Sequence, residues 1–274
     1  MQETNEYSRY LEVCEAAVRE AGAVVLDWVD RFETSQKRAP NDLVTQADLA
    51  SQETITRILR EAFPSHSIVG EESPAEENAV SGDGFRWIID PVDGTTNFVH
   101  RVPHYAVSLA LERQGQVLVG AVFDPNADEC YTAVRGRGAL LNGQPIATST
   151  VRALPEALAA AGFPYNLTRQ SPDLLMFLEA AMQCQAVRRT GSAALNLGYL
   201  AAGRFDVYWS YSTHVWDIAA GVLLVAEAGG VVTSPEGGPL ELDSGRFLAA
   251  ATPELHAQLL ELALRTTRAV RGEV

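Results

Sequence analysis

Apolar residues recur at helical spacing from Tyr7 to Val29, where Tyr10, Cys14, Ala17, Ala21, Val24 and Trp28 line one stripe. Polar residues follow to Asn41, then a short apolar piece, Leu43-Val44. The helical period returns over Ala47–Phe63, with Ile55, Ile58, Leu59 and Phe63 inward and Pro64 as the stop. Ser67–Gly70 reads as a brief strand running into Glu71-Glu72, and Pro74–Gly84, rich in Glu, Ser, Gly and Asn, as a solvated, mobile loop. Alternation then takes over. Phe85–Ile89, Tyr105–Glu112, Val117–Phe123 and Cys130–Val134 are predicted strands, and Asn142-Gly143 is a tight-turn signal. Helices followed by meandering strands predict an α+β half over residues 1–150, its helices covering an antiparallel sheet.

Beyond Thr150 strands and helices alternate. Strands are predicted at Ala157–Ala161, Ala186–Arg188, Arg204–Trp209 and Phe247–Ala250, with helices at Pro172–Met182, Ser192–Ala202, Val215–Ala228 and Pro253–Thr267. This is an α/β half over residues 151–274. No long linker separates the halves, so they are expected to pack around a shared crevice. A chain of 274 residues that is 47% hydrophobic and 20% charged folds without a disulfide or metal staple.

Charge narrows the function. Twenty-one basic against 35 acidic residues give a net −14, which argues against a nucleic-acid binder held by phosphate neutralisation and against a polybasic membrane anchor. The three cysteines, Cys14, Cys130 and Cys184, show no metal-ligand spacing and read as free buried thiols of a reducing compartment. With no visible signal peptide and no long apolar run, the expected location is the cytoplasm.

The chemistry concentrates in three places. In Trp87-Ile-Ile-Asp90-Pro-Val-Asp93-Gly-Thr-Thr-Asn97 an apolar strand ends in two carboxylates three residues apart. Both can point at one spot, as a hard cation with oxygen ligands requires, and a helix starting at Gly94-Thr95 would add an anion seat. An acidic turn that merely caps a helix is the other reading. Glu71, just after its own short strand, is either a third ligand or a solvated acid. Asp217, in Val215-Trp-Asp-Ile-Ala-Ala-Gly221, is either a helix cap or a fourth ligand carried in by a small-residue helix. Glu71, Asp90, Asp93 and Asp217 together carry about −4, and a phosphate dianion would bring this to about −6. Two or three divalent cations resolve that repulsion and activate a water as nucleophile. Oxygen ligands without a zinc-spaced His pair favour Mg²⁺. Neither a G-x-x-x-x-G-K-[ST] loop nor a G-x-G-x-x-G loop is present.

Taken together, Glu71-Glu72, Asp90-Pro-Val-Asp-Gly-Thr-Thr-Asn97 and Trp216-Asp-Ile-Ala-Ala-Gly221 resemble the inositol monophosphatase family of magnesium-dependent, lithium-sensitive phosphatases. The resemblance runs from the first helix to beyond Gly230. It implies a five-layered αβαβα sandwich and a homodimer. It also implies that Glu71, Asp90, the Val92 carbonyl, Asp93 and Asp217 hold the metals, and that Thr95 with Glu71 orients the attacking water. Gly94 and Thr95 match the phosphate seat, and Asp93 and Asp217 also border the substrate. Asp48, in Asp42-Leu-Val-Thr-Gln-Ala-Asp48, matches a position near a third metal, and Lys37, the single lysine beside twenty arginines, matches the family's lysine before that motif. Arg188, Gly191, Ser192 and Ala193 match the segment that faces the substrate. Ser210 stands where inositol-specific members carry a ring-gripping glutamate.

The sequence therefore predicts a Mg²⁺-dependent phosphomonoesterase for a small phosphorylated metabolite, inositol-1-phosphate-like or a sugar phosphate. The Ser210 departure turns the expectation toward broad activity. Alternatives are the same chemistry on fructose-1,6-bisphosphate, a 3′-phosphoadenosine nucleotide or histidinol phosphate, and a non-catalytic member that binds metal or a protein partner.

Overall fold

A computed structural model of the chain describes residues 2–36, 43–73 and 84–271. Lys37, Asp42 and all but Gly84 of the expected loop at Pro74–Gly84 lie outside these residues. The elements run α1 (Gln2–Trp28), β1 (Thr34–Gln36), β2 (Leu43–Thr45), α2 (Gln46–Ala62), β3 (Ser67–Gly70), β4 (Phe85–Asp93), α3 (Thr95–Val99), β5 (Ala106–Arg113), β6 (Gln116–Asp124), β7 (Glu129–Val134), β8 (Ala139–Leu141) and β9 (Gln144–Ile146). They continue with β10 (Leu158–Ala161), α4 (Pro172–Gln183), β11 (Ala186–Arg188), α5 (Ala193–Ala201), β12 (Val207–Ser210), α6 (Val215–Glu227), β13 (Val231–Thr233), β14 (Phe247–Ala250) and α7 (Pro253–Arg271).

Side-chain alternation assembles these elements into five layers. On β4, Trp87 and Ile89 face outward against α1 and α2, in a core that includes Cys14, Ala17, Val18, Ala21, Val25, Ile55 and Leu59. Ile88 on the same strand faces the other way, as do Ala110 and Val122, into a central core with Leu195, Leu197, Ile218, Leu224 and the facing residues Tyr208 and Ala249. On β12 and β14 the opposite phase, Val207, Trp209, Leu248 and Ala250, meets Met176 of α4 and Leu255 and Leu259 of α7. The order is α1/α2, a seven-stranded sheet, α5/α6, a five-stranded sheet, α4/α7. This is the αβαβα sandwich, built by period-2 alternation on two sheets that each bury both faces.

The helices of the middle layer explain their own sequences. α5 and α6 are packed from both sides, so α6 has nine buried residues, Val215 and Ile218–Val225, and no polar face. Close approach needs small residues there. A Cβ on Gly120 of β6 would lie 2.9 Å from the Cα of Ala220. Below α2 the sequence supplies a capping box: Thr45 Oγ1 accepts from Ala47 N at 3.1 Å, and Asp48 Oδ2 accepts from Thr45 N at 2.8 Å.

Several expectations are corrected. The buried stripe of α1 passes through Val18 and Val25, with Val24 only half-buried. The seven-stranded sheet, order β3-β4-β5-β6-β7-β8-β9, is antiparallel except that β3 pairs parallel with β4. The strand expected from Arg204 begins at Val207, and β1 and β13 carry too little pattern to have been read. Cys14 and Cys130 are free and buried, Cys184 half-buried. Burial raises the Cys14 thiol pKa and lifts Cys130 to about 12, so neither is poised as a nucleophile.

Candidate metal and phosphate site

The site begins with an irregularity in β4. The strand does not stop at Ile89 but continues through Asp93, and its register against β5 changes from Asp90↔Ser108 to Asp93↔Ala106. One extra residue on β4 forms a bulge at Pro91-Val92, where proline has no N–H to offer the ladder. In a regular strand residues three apart face opposite sides; the bulge brings Asp90 and Asp93 to the same one. The turn is held from below. Ser51, fully buried on α2, donates its hydroxyl to the Pro91 carbonyl at 2.8 Å, and Val92 N donates to Asp90 Oδ1 at 3.1 Å.

Asp217 comes from the middle layer. It is the third residue of α6, not the cap; His214 takes the cap position, and Asp217 Oδ2 accepts from His214 N at 2.7 Å. Asp90, Asp93 and Asp217 each present a carboxylate oxygen within 4.8 Å of the others, and the first two are buried. The electrostatic consequence is large. Burial, then Glu71, Asp93 and Asp217, push the Asp90 pKa well up. Burial and then Asp217 raise Asp93 to about 7, against hydrogen bonds from Ser192 and the backbone of Ala194 and Ala193 that favour its charge. Oxygen-only ligands, converging and strained by one another's charge, fit a hard divalent cation.

The other candidates sort themselves around this trio. Glu71 stands outside it, half-buried after β3 with its N–H on the Ile89 carbonyl at 3.1 Å, yet its carboxylate repels the Asp90 charge more than either aspartate does. Thr95 Oγ1 lies 3.1 Å from the Val92 carbonyl and 3.2 Å from Asp48 Oδ1, so Asp48, fully buried in its capping box, is tied to the site through Thr95. Gly94 precedes the short helix α3 as its left-handed cap residue. Ser192 Oγ and Ala194 N donate to Asp93 Oδ2 at 2.5 and 2.6 Å, which brings Gly191, Ser192 and Ala193 against the cluster.

Two candidates are not brought in. Arg188 is exposed and its Nη1 turns back to the Val187 carbonyl at 3.2 Å. Ser210 has no exposed surface; it ends β12, and its Oγ accepts from Ser212 N at 3.3 Å. Sequence reasoning missed Ser51, for which no local signal exists, and the role of Asn97, which ends the Asp motif and donates to the carbonyls of His104 and Thr190.

Comparison with known proteins places the chain among relatives of one family. The model of the inositol monophosphatase family matches residues 6–268. The chain is 42% identical over 245 residues to an inositol-1-monophosphatase of Rhizobium meliloti, covering 88% of this chain and 91% of that protein. It is 40% identical over 247 residues to a Nus factor SuhB of Pseudomonas aeruginosa, again covering 88% and 91%. The crystal structure of the extragenic suppressor protein suhB from Bartonella henselae superposes with a TM-score of 0.86 at 35% identity, covering 93% of this chain and 98% of that one.

Proposed function

The chain belongs to the inositol monophosphatase family, and we propose on that basis that it is a Mg²⁺-dependent phosphomonoesterase for a small phosphorylated metabolite, inositol-1-phosphate-like or a sugar phosphate. The observation that carries this reading is the convergence of Asp90, Asp93 and Asp217 from two layers of the fold within 4.8 Å. Those three, with Glu71 and the Val92 carbonyl, are the proposed Mg²⁺ ligands. Bound Mg²⁺ supplies positive charge that admits a phosphate dianion among carboxylates, and acidity for a water molecule.

The remaining roles follow from the residues themselves. A Thr95 hydroxyl that donates to Asp48 Oδ1 or the Val92 carbonyl keeps its own oxygen as acceptor for a water O–H, so we assign it, with Glu71, to aim the attacking water. The N–H groups of Gly94 and Thr95 are assigned to the phosphoryl oxygens, and the segment Gly191-Ser192-Ala193 is assigned, from the family pattern, to the substrate's other end. Lys37 is assigned to the same site from the family pattern alone. Because Ser210 offers no exposed hydroxyl, we assign no strict inositol preference to it. A homodimer belongs to the same proposal.

The test is a panel of phosphorylated metabolites, including inositol 1-phosphate, fructose 1,6-bisphosphate, a 3′-phosphoadenosine nucleotide and histidinol phosphate, assayed after EDTA and after Mg²⁺ readdition. The expected outcome is no turnover after chelation and recovery with Mg²⁺. Turnover that survives exhaustive chelation overturns the metal reading. The name of the Pseudomonas relative favours a second reading, that this chain serves as a Nus factor. A Mg²⁺-loaded protein that hydrolyses nothing in the panel would favour that reading over the first.

A further inference from the structure

We infer that Asn97 is a positioning residue that locks residues 190–194 onto the acid cluster and thereby aims the Asp93 carboxylate. The inference rests on the phosphatase reading above and adds to it a residue with no ligand contact of its own.

Asn97 sits in α3, one turn beyond Asp93, and its side-chain amide spans two parts of the chain. The two Nδ2 hydrogens have two acceptors, the His104 carbonyl at 2.7 Å and the Thr190 carbonyl at 2.8 Å. The second bond crosses 93 residues of sequence, from the bulged strand's turn to the segment entering α5. Gly191 completes the fit. Its φ is +95°, and a Cβ there would lie 2.8 Å from Asn97 Nδ2, so the glycine lets the amide lie flat against the backbone. From the other side Thr190 Oγ1 donates to Asn196 Oδ1 at 2.6 Å, anchoring the segment to the buried helix α5.

The clamped segment then acts on Asp93. Ser192 Oγ and Ala194 N both donate to Oδ2, at 2.5 and 2.6 Å. Two donors on one oxygen fix the rotation of the carboxylate about its Cβ–Cγ bond, and so the direction its charge faces. An amide is suited to the role because it donates twice without adding charge to a cluster already crowded with anions. Removing it leaves two carbonyls without their donor and lets Gly191–Ala194 drift from Asp93. Residues that orient a metal ligand without touching the metal affect affinity or activity by about 10- to 100-fold.

Asn97→Ala and the similarly sized Asn97→Leu, which lack both donors without adding a charge, test this. Mn²⁺ binding is measured by electron paramagnetic resonance without substrate, alongside the Mg²⁺ concentration for half-maximal turnover. Folded variants, checked by circular dichroism, should bind Mn²⁺ about tenfold more weakly and need correspondingly more Mg²⁺, the low end expected for an indirect contact. Leu259→Ala, a cavity in the outermost layer, should lose stability and keep wild-type Mn²⁺ affinity. If either Asn97 variant folds and binds Mn²⁺ within twofold of a wild type that is itself active with Mg²⁺, the positioning role is overturned and the phosphatase reading stands. A wild type that neither binds Mn²⁺ nor turns over substrate overturns both.

Discussion

Asp217 carries two demands with one carboxylate. As the third residue of α6 it accepts from His214 N at 2.7 Å, and as a member of the trio it faces Asp90 and Asp93. The two demands separate on substitution. Asn keeps an acceptor oxygen, so Asp217→Asn should leave the cap nearly intact, at a cost within about 1 kcal/mol in thermal or urea unfolding. It removes one charge from the proposed metal site, and Mg²⁺-dependent turnover should fall at least about 100-fold, the upper end for residues that merely support a metal ligand. A fully active Asp217→Asn protein would leave Asp217 only its hydrogen bond to the His214 cap. Asp48 is the parallel case on α2, a capping residue whose second oxygen reaches Thr95. In both helices the acid at the third position, favoured there by the helix dipole, is also the acid turned toward the site.

At the scale of elements, the site depends on how closely α6 approaches the seven-stranded sheet. Asp217 lies one turn before Ala220, and Ala220 packs where Gly120 of β6 has no side chain. A Cβ at Gly120 would stand 2.9 Å from Ala220 Cα and 3.2 Å from its carbonyl oxygen, both backbone atoms that cannot swing aside. Gly120→Ala should therefore push α6 outward, destabilising the fold by about 1–3 kcal/mol and raising the Mg²⁺ needed for half-maximal activity. Denaturant unfolding and a Mg²⁺ titration check the two parts. Unchanged Mg²⁺ activation in a destabilised variant would show that β6 and α6 do not set the Asp217 position. The β4 bulge is the other element-level device, and it owes its place to Pro91 and to Ser51 beneath it.

Across the whole molecule, the acid cluster is a point of instability that the proposed cation would relieve. The folded protein raises Asp93 from an ordinary 3.8 to about 7, so between these values the metal-free fold holds a proton that the unfolded chain has released. Its stabilising effect is complete below about pH 4 and is lost as pH rises toward about 7. Asp90 is shifted in the same direction. The metal-free wild type should thus lose more thermal stability than Asp93→Asn over that pH range, as read by calorimetry. At pH 8, Mg²⁺ at 100 times its dissociation constant should restore about 2.7 kcal/mol. A wild type whose stability curve parallels that of Asp93→Asn, and which ignores Mg²⁺, would mean that the carboxylates do not share a site. No helix among the described residues is long and apolar enough to cross a membrane.

Much of this was legible along the chain because it is local. The stripe of α1, the stop at Pro64, the alternation of β4 to β7, the small-residue helix after Trp216 and the spacing of Asp90 and Asp93 depend on neighbours a few residues away, and the family motifs are contiguous. What sequence spacing could not supply is anything set by contacts distant along the chain. The parallel pairing of β3, the bulge that turns Asp90 and Asp93 to one side and the burial of Ser210 each follow from packing between layers. Ser51 and Asn97 make the same point. Each is an ordinary polar residue by composition, and each gains its place from a hydrogen bond to a carbonyl 40 or 93 residues away. Local periodicity chose the elements; the requirement that both faces of two sheets be buried at once chose which side chains meet.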